Sequence, residues 1–123
     1  MNKPTRVVLL GDADKAFKKL NEIVGRQIES GKESTEEMQL LKSIRQKIDF
    51  VKANPFYGDP VAKKLIPQEY MAEYAAINLF RVELSGFWRM LYTLKGDKIE
   101  IVAFVLDIIN HQDYDKKFGY RKR

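Results

Sequence analysis

The sequence has no cysteine and only one histidine, and these two scarcities exclude several classes of function. Without cysteine the chain has no disulfide, no thiolate zinc site, no iron–sulfur cluster and no cysteine nucleophile. A single histidine is too few for a metal site built from several imidazoles. These two scarcities exclude metal sites built on cysteine or on several histidines; we expect no cofactor.

Long apolar runs are also missing. No stretch approaches the roughly 18 apolar residues that a membrane-spanning helix needs, and the opening Met1-Asn2-Lys3-Pro4 does not begin a secretory signal. The 123 residues are 45% apolar and 32% charged, a composition typical of a globular chain. We expect one domain, 1–123, in the cytoplasm and without a membrane partner.

Positive charge is concentrated at the C-terminal end. The net charge is +5, and the basic tail 115–123 holds five basic residues and one acidic residue. A basic terminus that also carries aromatic residues suits a polyanion such as nucleic acid. It equally suits a solubilising tail, and charge alone leaves both interpretations open.

The hydrophobic pattern predicts an α+β fold. Residues 5–10 are rich in β-branched residues and predict a strand. Apolar residues then recur at helical spacing over 13–28, from a predicted N-cap at Asp12, and over 38–51, after a predicted capping box from Ser34 to Glu37. Residues 61–74 give no clear pattern.

Three strands are predicted at 77–84, 87–95 and 99–106, with the third apolar almost throughout and so covered on both faces. We expect a twisted antiparallel sheet, built as strand, two-helix hairpin and three-strand meander, with the helices packed on one face. The predicted core comprises Phe17, Leu20, Leu41, Ile48, Val82, Leu84, Met90, Tyr92, Val102 and Phe104.

Alternation in the first two strands of the meander separates a core face from an open face. A three-residue loop at 84–86, with Gly86 at positive φ, places Arg81, Glu83 and Arg89 together on the open face. A two-residue loop would bury Arg89 as a lone charge, which is unfavourable. The group fits a solvated face with cross-strand ion pairs, each worth less than about 1 kcal/mol. It also fits a phosphate site, because arginine forks bind phosphate oxygens and a neighbouring carboxylate can move a proton.

Two further candidates follow the last predicted strand. His111 is the only side chain in the sequence whose unperturbed titration lies near neutrality, and Tyr114 follows it by three residues. A lone histidine is more often a surface or capping residue, and a tyrosine here can simply anchor the tail. Their place near the open face makes them candidates.

The meander and the tail resemble the RelE/ParE toxin superfamily of toxin–antitoxin systems. Residues 78–92, Asn-Leu-Phe-Arg-Val-Glu-Leu-Ser-Gly-Phe-Trp-Arg-Met-Leu-Tyr, look like that family's hairpin, and 99–106 followed by His111-Gln-Asp-Tyr114 looks like its last strand and the segment after it. Three short segments are similar to that family's loop ahead of the hairpin: Asn54-Pro55, Gly58-Asp59-Pro60 and Lys64-Leu65. Residues 114–120 look like an ending seen in archaeal relatives.

The resemblance implies a small cytoplasmic toxin that a cognate antitoxin protein neutralises. Its implied activity is metal-free cleavage of mRNA on the ribosome, by attack of a ribose 2′-OH on the adjacent phosphate. The resemblance assigns phosphate stabilisation to Arg89 with Arg81, proton transfer to His111 and Glu83, and placement of the nucleotide to Tyr114. The expected RNA contacts are Lys63, Lys64, Lys116, Lys117 and Arg121.

The sequence departs from the best-known branch of the family at a pair of lysines and at a late catalytic arginine, which is replaced around His111-Gln112. Arg81 and Glu83 stand where that branch carries lysines, and an arginine stays protonated and cannot act as a general base. Two alternatives therefore stay open: a ParE-like toxin that poisons DNA gyrase, and a catalytically inactive member kept for binding. Fold alone does not separate them.

Overall fold

Five strands and four α-helices organise the computed structural model, which describes residues 3–119. The strands are β1 (Thr5–Leu9), β2 (Asp59–Pro60), β3 (Phe80–Glu83), β4 (Trp88–Gly96) and β5 (Ile101–Asn110). The helices are α1 (Gly11–Glu29), α2 (Glu36–Ala53), α3 (Gln68–Tyr74) and α4 (His111–Phe118), and 3-10 turns span Lys63–Leu65 and Ser85–Phe87. The α+β class is confirmed.

The strands form one sheet in the order β1-β5-β4-β3-β2. β5, β4 and β3 are antiparallel neighbours, as the meander predicts, and the short β2, which was not predicted, adds to β3 antiparallel. By contrast, β1 pairs with β5 in parallel, Thr5 opposite Ile101. The prediction of an antiparallel sheet is therefore wrong for its first strand, and the sheet is mixed. Side-chain alternation fixes which face of a strand is buried, but it carries no information on the direction in which an edge strand runs.

Both long helices form where the periodicity predicts them, but the N-cap lies two residues before the predicted one in α1 and one residue after it in α2. The cap of α1 is Leu10 rather than Asp12, and Asp12 lies inside the first turn, where its charge suits the helix dipole. The cap of α2 is Thr35 rather than Ser34, and the Thr35 hydroxyl accepts a hydrogen bond from the Met38 amide at 3.0 Å. Two adjacent hydroxyl residues are nearly equivalent as caps, so the sequence left the choice open by one position.

The β3–β4 hairpin has the predicted assignment of side chains to the two faces, but its loop lies one residue later than predicted. Val82 lies opposite Met90 and Glu83 opposite Arg89, so both pairs have an even sum of residue numbers. The Leu84 amide still donates to the Trp88 carbonyl at 2.8 Å, which moves the three-residue loop from 84–86 to 85–87. Gly86 has the expected positive φ, 69°.

The last strand extends to Asn110, four residues beyond its predicted end at Leu106. A bulge breaks the β4–β5 register: Leu91 lies opposite Asp107, but Tyr92 lies opposite Val105. Leu106 and Asp107 consequently both lie on the face of the sheet that was predicted to be open, where Leu106 packs near Leu91. A bulge changes the side-chain parity in the middle of a strand, and no periodicity announces it.

The two-helix hairpin packs on one face of the sheet, as predicted, but the other face, which was expected to be open, is covered as well. α1 and α2 cover the first face, where the predicted core residues of β3, β4 and both helices are buried or packed against the core. On the second face α3 and α4 cover a smaller cluster, and Phe104 is partly buried against it. The members of this second cluster are Ile66, Tyr70, Ala76, Leu79, Leu91, Leu106, Tyr114 and Phe118. The apolar third strand of the meander is thus buried on both sides, as its composition predicts.

Candidate functional site

The structure brings Arg81, Glu83 and Arg89 together on the second face of the sheet, beside α4. β3 supplies Arg81 and Glu83, and β4 supplies Arg89 directly opposite Glu83. One carboxylate oxygen of Glu83 lies 3.7 Å from the Nε of Arg81 and 3.7 Å from the Nε of Arg89. Glu83 therefore sits between two guanidinium groups, at ion-pair distance from both.

Tyr114 joins this group from α4. Arg81 Nη1 donates a hydrogen bond to the Tyr114 hydroxyl at 3.3 Å, and the Arg89 guanidinium carbon lies 4.8 Å from the centre of the Tyr114 ring. The same ring stacks on Phe118, with the ring centres 4.3 Å apart, and Tyr114 is only 3% exposed. Because Phe118 and Arg89 lie against the Tyr114 ring, a nucleotide base has no open face of that ring to stack on. Tyr114 therefore contributes to the site through the contact of its hydroxyl with Arg81.

The hydrogen bond with Tyr114 raises the pKa of Arg81, against a lowering by burial and with smaller support from Glu83 and Asp59. Arg81 is therefore a permanent cation in this site. It can stabilise negative charge, and it cannot accept a proton.

The Nε atoms of both arginines are buried and lack a hydrogen-bond partner within residues 3–119. A buried donor on a charged group is costly to leave unpaired. An acceptor oxygen that approaches within hydrogen-bond distance of either Nε relieves that cost. Such an acceptor can come from Glu83 after a small shift or from a bound phosphate.

His111 lies at the rim of this group. It is the first residue of α4 and is exposed, and its ring centre lies 6.0 Å from that of Phe87. The carbonyl oxygen of Phe87 accepts a hydrogen bond from Arg89 Nη1 at 3.1 Å. Phe87 thus contacts both His111, through its ring, and Arg89, through its carbonyl oxygen.

Sequence reasoning missed Asp59 as a neighbour of the site. Asp59 forms a short bridge with β3, opposite Arg81, and its carboxylate lies 3.7 Å from Arg81 Nη2. Within 54–60 the sequence shows only turn-forming residues, and a two-residue strand has no periodicity to detect. Asp59 and Glu83 together place two carboxylates beside the two arginines.

The predicted RNA contacts differ in what surrounds them. Lys63 and Lys64 are exposed in the 3-10 turn that follows β2, and Lys116 is exposed on α4. The ammonium of Lys117 lies 2.8 Å from Glu69 and 2.9 Å from Asp107, so it is engaged in ion pairs. Arg121, with the end of the basic tail, lies outside the described residues.

A second polar network, also missed, holds α3 and α4 on the sheet. Asp107 is 4% exposed, and it accepts a hydrogen bond from the Tyr70 hydroxyl at 2.7 Å as well as the ion pair from Lys117. Burial, followed by the Asp107 charge, raises the pKa of Tyr70. For Lys117 burial lowers the pKa, but its bonds with Glu69 and Asp107 outweigh that effect and raise it overall.

This network predicts a loss of stability in alkali. Tyr70 and Lys117 keep their protons in the folded protein above their ordinary pKa values of 10.0 and 10.5. Since the unfolded chain then binds fewer protons, the stability that these two groups contribute is constant below about pH 10 and falls above it, by at most about 1.4 kcal/mol per pH unit for each proton. Urea unfolding across this range should show a shallower fall for Tyr70→Phe than for wild type. Tyr57→Phe, at an exposed ring, is the control; an equal slope in wild type and Tyr70→Phe would contradict the assignment.

Two further properties concern residues 3–119 as a whole. No three His, Asp or Glu side chains in this range are grouped so that they could hold a metal ion. No helix in the same range has the length and apolar character to cross a membrane.

Comparisons with known proteins add no relative. No protein-family model matches the chain, and searches of curated proteins and of solved structures give no match. Membership of the RelE/ParE superfamily therefore stays a prediction, carried by the hairpin and tail motifs.

Proposed function

We propose that the protein is a RelE-type toxin, an endoribonuclease that cleaves mRNA on the ribosome without a metal. One observation carries the proposal: two arginines, a carboxylate and a tyrosine hydroxyl converge on one sheet face, within 3.7 Å of one another in successive pairs. The resemblance of residues 78–92 to the family's hairpin supports it. A cognate antitoxin that covers this face and a cytoplasmic location belong to the same proposal.

The reaction needs proton transfer and charge stabilisation. The ribose 2′-oxygen forms a bond to the adjacent phosphorus while the bond from phosphorus to the 5′-oxygen breaks, which leaves a 2′,3′-cyclic phosphate and a 5′-hydroxyl. Glu83 takes the proton of the 2′-OH, and His111 gives a proton to the leaving 5′-oxygen. Arg89 and Arg81 stabilise the negative charge on the pentacoordinate phosphorus.

The local charges explain how the site changes when RNA binds. Without RNA the two guanidinium groups face Glu83 and Asp59, at 3.7 Å in each ion pair. A phosphate competes for the same guanidinium donors. Tyr114 keeps Arg81 in place through its hydroxyl, so it is a positioning residue.

The test is induction of the chain in a host that lacks the antitoxin, together with incubation of the purified protein with ribosomes carrying a defined mRNA. We expect translation to stop and cleaved mRNA with 5′-hydroxyl ends to accumulate only when ribosomes are present. Double-strand DNA breaks with intact RNA would instead identify a gyrase poison. Normal growth with folded protein present would identify a binding protein without catalysis.

A further inference from the structure

Three aromatic side chains outside the arginine site are exposed to solvent at one edge of the sheet. Phe50 near the end of α2 is 40% exposed, and Phe56 and Tyr57 in the following loop are 65% and 40% exposed. The rings of Phe50 and Tyr57 lie 5.2 Å apart. The ammonium of Lys47 lies 5.5 Å from the centre of one and 5.8 Å from the centre of the other. We call these four side chains the aromatic platform.

The loop that carries the platform is held rigidly. The buried Tyr92 hydroxyl accepts a hydrogen bond from the Gly58 amide at 2.9 Å and donates one to the Pro55 carbonyl at 2.7 Å. The Asn54 side chain accepts from the Phe56 amide at 3.1 Å. A Cβ at Gly58 would lie 3.0 Å from the Tyr92 ring, so the close approach needs glycine. Rings presented on a fixed loop lose little conformational entropy when they bind a partner.

The segment that carries the platform is basic, which suits a polyanion. Residues 42–64 contain six lysines and arginines against two aspartates. Aromatic rings interleaved with basic side chains are the pattern by which proteins bind single-stranded nucleic acid, since bases stack on the rings and the phosphates pair with the cations. An acidic or purely apolar peptide would use only one half of this surface.

The platform adjoins the arginine site through the edge of the sheet. Its loop runs directly into β2, where Asp59 lies opposite Arg81 and Pro60 opposite Phe80. The Phe56 ring centre lies 6.0 Å from the Phe80 ring centre. A strand of RNA whose phosphate contacts Arg81 can therefore continue around this edge onto the platform.

We propose that Phe56 and Tyr57, with Phe50 and Lys47, form a stacking surface for bases of single-stranded RNA next to the cleaved phosphate. This inference rests on the proposed function, because it assumes that RNA occupies the arginine site. It adds a binding surface beside the C-terminal end of α2, and this surface takes no part in the chemistry.

The test measures the affinity of the full chain for a short, fluorescently labelled single-stranded RNA by anisotropy at low salt. Loss of stacking on one base usually weakens binding by about 5-fold to 150-fold. We therefore expect Phe56→Ala combined with Tyr57→Ala, which removes two rings, to weaken binding by at least about 5-fold. Phe56→Trp should retain wild-type affinity, because it keeps a ring. Ile99→Ala, at a site 77% exposed, is the matched control for removing exposed apolar surface. Equal melting temperatures verify that the variants fold.

Ribosomal mRNA cleavage by the same variants separates this inference from the proposed function. If wild type cleaves mRNA and the double alanine variant binds the labelled RNA as tightly as wild type, the stacking surface is wrong and the function stands. If wild type neither binds nor cleaves RNA, both are wrong. If the double variant keeps its RNA affinity but loses its antitoxin, the platform is a protein-binding surface and the inference is overturned.

Discussion

Replacing Arg89 with alanine is expected to lower the rate of RNA cleavage by about 10²–10³ while the chain stays folded. The Arg89 side chain is 18% exposed, and its guanidinium lies between Glu83 and the Tyr114 ring. In the proposed reaction it is a preorganised cation where negative charge develops on the phosphate. Its contact with the tyrosine ring contributes about 0.5–2 kcal/mol, which is less than the roughly 5–15 kcal/mol that stabilises a domain.

Three further measurements separate catalysis from structure in this experiment. Arg89→Lys keeps the charge but loses the planar fork, so it should fall between wild type and Arg89→Ala. Added guanidinium ion should restore part of the activity of Arg89→Ala by filling the vacated position. Arg6→Ala removes an exposed arginine that pairs with Glu100 on the far side of the sheet, and it should change nothing. Full cleavage activity in folded Arg89→Ala would show that the arginine site is not the active site.

The long elements of the fold could be predicted because their signals are local and repeated. The apolar stripes of α1 and α2 recur over four or five turns, and the alternation in β3 and β4 sorts side chains onto two faces. The same alternation placed Arg81, Glu83 and Arg89 together, since burying a lone charge excludes the other parity. The prediction of which face each side chain lies on was correct although the position of the loop was wrong by one residue, because the pairs in both registers have an even sum of residue numbers.

The second face of the sheet could not be predicted, because it depends on long-range contacts. α3 lies in a segment without clear periodicity, and Tyr70 becomes a core residue only by packing on Leu106 and its neighbours. Asp107 reads as a polar residue past the end of a strand, yet the bulge keeps it within the sheet, where Tyr70 and Lys117 satisfy it. Each partner lies 10 to 37 positions away in sequence. Pairing at that distance leaves no pattern in either local segment.

The position of Tyr114 shows how tertiary structure changes the role that a motif suggests. The motif places a tyrosine three residues after His111, and the structure places both on α4. One turn of helix directs Tyr114 into the second core, where it is 3% exposed, and leaves His111 exposed at the first position of the helix. The pair therefore divides into a buried residue that orients Arg81 and a surface residue that can meet RNA.

We expect His111→Ala to reduce RNA cleavage by about 10²–10⁴, the usual effect of losing a general acid. Its removal should leave α4 intact, because the cap of that helix is Asn110, whose side chain accepts a hydrogen bond from the Asp113 amide at 2.8 Å. Single-turnover cleavage of mRNA on ribosomes measures the effect on chemistry. Gln112→Ala, at the neighbouring exposed position of the same helix, is the matched control and should cleave as wild type does.

Added imidazole distinguishes proton transfer from a structural role of His111. A small imidazole molecule can occupy the space left in His111→Ala and supply the missing acid, so cleavage should recover in proportion to its concentration. If His111 only supported Phe87 through their ring contact, imidazole would restore nothing and His111→Phe would be active. A folded His111→Ala variant with wild-type activity would remove His111 from the mechanism, and proton transfer to the leaving oxygen would then have to come from another group near Arg89.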